Sequence, residues 1–146
     1  MPRADAYFER GRRHAVCQDY GLASPAGNRV VLADGCSSSP DTDVGARFLC
    51  HAALHLPNPT RAGRRIIQKA ESLREAMHLD PRSVDATLLC LEVDPQDEGA
   101  PVVRAVVWGD GAVAARRHDG TVIVHEISCS DSAPPYLSYL LDAGRL

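Results

Sequence analysis

The amino-acid sequence predicts an α+β fold in which two helices cover one face of an antiparallel sheet. Apolar residues recur with a strand-like period, then with a helical one, then with a strand-like one again. The late runs follow one another at short spacing, with Asp119-Gly120 as a hairpin signal, which reads as an antiparallel meander. With 146 residues, 45% of them hydrophobic, the chain suits one core, and residues 1–146 are expected to form a single domain.

Residues 12–17 read as a first strand behind a loose, charged tail, with Gln18-Asp19 at its end and a turn-rich stretch over 21–28. Val30, Val31 and Leu32 anchor a second strand over 29–33 that runs into Asp34-Gly35. Ser37, Ser38, Ser39 and Pro40 form a loop able to cap a helix, and Pro40 suits its first turn. That helix carries Val44, Phe48, Leu49, Ala52 and Leu56 on one side and stops near Pro57. A second helix is expected over 60–78, with Ile66, Ile67, Ala70, Leu73 and Met77 buried and Arg61, Arg64, Arg65, Lys69 and Arg74 solvated. Residues 86–93 are apolar on both sides, as in a central strand, and 94–100 make an acidic hairpin loop. Strands over 102–108, 112–117 and 121–127 follow, and Pro134-Pro135 admit a last helix containing Tyr136, Leu137, Leu140 and Leu141.

A net charge of −3 and few aromatics argue against nucleic acid as a partner. No apolar run is long enough to cross a bilayer, and the charged N-terminus is unlike a signal peptide, so a cytoplasmic protein is expected. Cys17, Cys36, Cys50, Cys90 and Cys129 are odd in number and lack a C-x-x-C pair, which reads as reduced thiols.

Asp19 and Asp34 each lie at the end of an expected strand. If both enter from the same end, their carboxylates converge with the Gly35 carbonyl, and like charges held so close need a metal or a shared proton. The simpler alternative makes Asp34-Gly35 a turn and Asp19 a solvated loop residue.

Several short motifs occur in an ordered series: GRRHAVCQDY (11–20), VLADGCSS (31–38), VGA (44–46), DATLL (85–89), WGDG (108–111) and PYLSYLLD (135–142). Together the series resembles the type 2C metal-dependent serine/threonine protein phosphatases, most closely their compact bacterial branch. The resemblance implies an antiparallel β-sandwich flanked by helices, with Asp19, Asp34 and the Gly35 carbonyl around a pair of Mn²⁺ or Mg²⁺ ions. It also implies hydrolysis of phosphoserine or phosphothreonine in a phosphoprotein substrate, by a water activated between the ions. Asp110 would support the site rather than ligate, and Asp80 or Asp85 would stand near an accessory metal position.

The likeness has departures. His14 stands where the family usually has a phosphate-gripping arginine, beside Arg12 and Arg13, so phosphate binding would fall to His14 or Arg13. Ser37 replaces a usual glycine. The late Ser-Asp-Gly and Asp-Asn motifs find no match, since Ser130-Asp131 is followed by serine. The chain therefore reads as the N-terminal portion of the family domain, with metal held weakly or not at all where a complete domain would hold two ions, and an apolar sheet edge open to self-association. A binding or regulatory module without turnover, or a fragment needing a partner chain, is the alternative from another class. Three further readings are a serine hydrolase using Ser37, Asp110 and His118 or His125, a cysteine phosphatase, and a zinc site at Cys50, His51 and His55. A missing second glycine, Thr42 where an arginine is needed, and the lack of a further strong ligand argue against them in turn.

Overall fold

Residues 3–94, 102–129, 134–142 and 144 are described by the structure, a computed structural model. In chain order their elements are β1 (Asp19–Ala23), β2 (Arg29–Gly35), α1 (Thr42–His55), α2 (Gly63–Ala76), β3 (Ala86–Asp94), β4 (Val102–Trp108), β5 (Gly111–Arg116) and β6 (Val122–Ile127). The first four strands pair antiparallel in sequence order, and β5 pairs antiparallel with β6 in a second sheet. The α+β class therefore holds, and two antiparallel sheets with helices are compatible with the sandwich.

Alternation along β2 and β3 decides where the core lies. Val31 and Ala33 from β2, with Leu88 and Cys90 from β3, are buried together with Ala46, Leu49, Cys50 and Ala53 of α1. Helix α2 packs against α1 and adds Ile66, Ile67 and Ala70 to the same core. At the end of the sheet away from Asp34, Arg29 bridges to Glu92 at 2.7 Å across the β2–β3 pair and donates to the Leu56 carbonyl beyond α1.

The opposite face of the first sheet carries Leu32 and Leu89 and meets the second sheet. A Cβ placed on Gly111 would lie 3.0 Å from the Leu89 side chain. The single meander expected from 86 to 127 is thus broken between Trp108 and Gly111. Period-two alternation reveals strands but not their partners, and here Gly109, at φ +96°, allows the turn that carries the chain to the other sheet.

Several local expectations are corrected. Residues 12–17 form no strand, because the His14 amide closes a turn onto the Gly11 carbonyl at 3.1 Å. The first strand instead runs through Gly21, where a Cβ would stand 2.7 Å from the Leu32 side chain and 3.1 Å from Ala6 Cβ. That glycine serves close packing rather than a turn, and the segment before it is docked. Phe8 lies against Tyr20 with ring centroids 5.2 Å apart.

Helix α1 begins later than Pro40. Asp41 occupies its cap position at φ +55° without a capping side-chain bond, and the Thr42 hydroxyl instead donates to the Cys36 carbonyl. The second helix divides into a single turn over Pro59–Arg61 and α2, which starts at Gly63. Leu73 and Met77 are 40% and 55% exposed, since the last turns of α2 run beyond the core. Arg74 is not a free solvated group, because it pairs with Glu71 and donates to the Leu79 carbonyl.

After Pro134-Pro135 the chain makes a short 3-10 turn over Leu137–Leu140, with Leu137 buried and Leu140 and Leu141 exposed. The loop expected over 94–100 lies outside the described residues from position 95 onward, as does Ser130-Asp131. All five cysteines are free, Cys50 and Cys90 being buried. No helix among the described residues is long and apolar enough to cross a membrane.

Candidate active site

Asp19 opens β1 and Asp34 stands near the end of β2, and the antiparallel register pairs the two residues directly. The expectation that both follow strands is corrected. They converge because one strand begins where its neighbour ends. Like charges placed opposite each other across a strand pair repel. Although Asp34 keeps solvent contact, partial burial pushes its carboxyl up to about 6, and a hydrogen bond to Asp19 and the charges of Asp19 and Asp110 push the same way. A shared proton, or a cation in its place, would relieve that repulsion.

The surrounding backbone fixes the pair. The Asp34 amide donates to the Thr87 hydroxyl at 3.3 Å and the Gly35 amide to the Gln18 carbonyl at 3.2 Å. Gln18 also donates from its side chain to Thr42 at 3.1 Å. Gly35 is buried against Thr42, where a Cβ would come within 2.8 Å of the threonine side chain.

Two cavities open beside the carboxylates. One, of about 240 Å³, is lined by Gly11, His14, Gln18, Asp19, Asp34 and Ser37. The other, of about 320 Å³, is bounded by both aspartates, Asp110 and apolar residues of both sheets. His14 therefore joins the site, whereas Arg13 is exposed and lines neither cavity. Asp110 is exposed and lines the larger one.

Asp85 is corrected from a position near an accessory metal to a buried anchor, 2% exposed. Its carboxylate accepts from Ser138 at 2.7 Å and from Ser39 at 3.2 Å, and its carbonyl accepts from the Cys36 amide at 2.9 Å. One buried aspartate thus ties together DATLL, DGCSS with the serine after it, and PYLSYLL, through its carbonyl to Cys36 and its carboxylate to Ser39 and Ser138, a link that spacing along the chain could not reveal. Asp80 is engaged locally, accepting from the Arg82 amide at 2.8 Å to start a short turn. Asp85→Ala, which removes charged hydrogen bonds from a buried position, is expected to cost about 3 kcal/mol. In a thermal melt that is a fall of roughly 10 °C; an unchanged midpoint would show that the anchor is dispensable.

The family model for protein phosphatase 2C matches residues 9–136. The chain belongs to this family. No curated relative and no solved structure matches it. In this protein phosphatase 2C chain the matched span begins ahead of His14 and extends beyond β6, so it takes in β1 to β6, α1 and α2. The family uses divalent Mn²⁺ or Mg²⁺, and the donors present suit such a hard ion: two opposed carboxylates whose repulsion a cation relieves. Among the described residues no three His, Cys, Asp or Glu side chains are grouped to hold a metal.

The rival constellations do not assemble. Cys50 turns inward, its thiol donating to the Tyr20 carbonyl, while His51 and His55 stack on the exposed side of α1. His118 lies beyond β5 and His125 pairs with Val113 inside the second sheet, and neither lines a cavity with Ser37.

Proposed function

We propose that this chain hydrolyses phosphoserine or phosphothreonine in proteins, with Asp19, Asp34 and the Gly35 carbonyl holding Mn²⁺ or Mg²⁺. The observation that supports this reading best is the direct pairing of Asp19 with Asp34 at one end of the sheet. Bound there, the ions would supply Lewis-acid stabilisation of phosphate charge and an activated water. Asp19 and Asp34 hold the charge that positions the ions, and Thr87 and Gln18 fix the backbone that carries Asp34 and Gly35. His14, on the wall of the smaller cavity, offers a donor to a phosphate oxygen. Asp110 adds negative potential to the larger one.

The test is p-nitrophenyl phosphate turnover with and without millimolar Mn²⁺. Turnover that EDTA abolishes and Mn²⁺ restores supports the reading, and silence at every metal concentration refutes it. Silence favours the second reading, a phosphatase-like binding module, for which the absence of a three-residue metal grouping among the described residues speaks.

Self-association through the second sheet is part of the proposal. Val122 and Val124 of β6 are 57% and 60% exposed on a strand that has β5 as its neighbour. Light scattering across a hundredfold concentration range should show a dimer; a monomer throughout contradicts it.

A further inference from the structure

The register lays two rows of residues across the face of the first sheet that meets the second. Asp19, Asp34 and Thr87 form the outer row, and Gly21, Leu32 and Leu89 form the next, two residues further along each strand. Residues two apart on a strand share a face about 7 Å apart. The carboxylates and an apolar floor therefore belong to one surface. Gly21 has no side chain, and Phe8, held against Tyr20, lies over that position. Ala112 of β5 closes the other side, and Tyr7 stands 81% exposed at the rim. The resulting cavity of about 320 Å³ lies near the lower end of ligand pockets, roughly 300–1,000 Å³, so it fits a single side chain rather than a peptide segment.

We propose that this cavity is a specificity pocket for a large apolar side chain of the phosphoprotein substrate, within two residues of the phosphorylated one. The proposal rests on the phosphatase reading above. An extended peptide advances roughly 3.3–3.6 Å per residue, so a phosphoryl group at the Asp19–Asp34 row leaves a residue one or two positions away over Leu32 and Leu89. Burial against Phe8, Leu32, Leu89 and Ala112 favours Leu or Phe there. An acidic side chain is disfavoured by Asp19, Asp34 and Asp110 along the rim.

The experiment uses the full chain with Mn²⁺ and phosphothreonine peptides that differ at one position within two residues of the phosphothreonine, carrying Phe, Gly or Lys. Affinity is read by fluorescence anisotropy and turnover by phosphate release. At one position or more, Phe is expected to be preferred over Gly about ten-fold. Ala112→Trp, which fills the cavity, and Phe8→Ala, which removes a wall, should each bring that ratio towards one. Equal affinity for Phe and Gly at every position, or a Lys peptide that outranks Phe, overturns the pocket. If no peptide is turned over, the hydrolase reading fails by itself, while the affinity ratio still decides the pocket.

Discussion

Asp34→Asn is expected to cut the proposed Mn²⁺-dependent turnover at least about 100-fold while leaving the fold intact. Even the outer partners of metal ligands are worth 10–100-fold, and a direct carboxylate ligand is worth more. The same substitution should stabilise the metal-free protein above pH 6. Asp34 titrates at about 6 in the folded chain against an ordinary value of 3.8, so the folded state holds the proton more tightly than the unfolded one. The associated stability is complete below about pH 4 and is lost as pH rises through about 6. Asparagine keeps the shape without the charge, so the variant avoids that loss. After solvent screening the difference is about 1 kcal/mol, or roughly 2–4 °C in the melting midpoint. Parallel melts in EDTA at pH 4 and pH 7.5 measure it; a variant less stable than the parent at pH 7.5 would mean that the carboxylates are not in conflict.

Gly45→Ala should be among the most damaging single substitutions in the chain. Alanine is ordinarily the better helix former by about 1 kcal/mol. At position 45 its methyl would lie 1.7 Å from the Ser83 carbonyl oxygen and 2.6 Å from the carbonyl carbon, a backbone that cannot rotate aside. Overpacking typically costs about 1–3 kcal/mol, and a clash with rigid backbone stands at the top of that range or beyond it, more than the helical gain restores. The midpoint should fall by roughly 10 °C. Activity should fall too, because Ser83 lies two residues before Asp85, whose carboxylate secures the loop after Gly35. A midpoint equal to or above the parent's would show that α1 can withdraw from the Ser83 turn without loss.

These two residues show how far the linear chain can be read. The VGA motif marked position 45 as part of a familiar series, yet nothing in its neighbours indicated that a carbonyl 38 positions later fills the space of the missing side chain. Asp34 and Gly35 were recognisable as a carboxylate and a turn after an apolar run, but their companion Asp19 was assigned to the end of a strand over 12–17 that does not form, whereas it begins β1. The error came from HAVC, an apolar stretch near the docked N-terminal segment that alternates without pairing. Gly21, read as a turn, is where Leu32 and Ala6 approach β1.

By itself the sequence determined the α+β class and most strand and helix positions, and it singled out Asp19 and Asp34 as a candidate pair, because apolar period and glycine placement are local properties. Only the tertiary structure decided that β4 and β5 lie in different sheets, that Asp85 is a buried anchor, and that His14 rather than Arg13 lines a cavity with the carboxylates. Those outcomes depend on which surfaces meet across long chain separations. Pairing and burial energies are set by the partner, and no stretch of residues carries its partner's address.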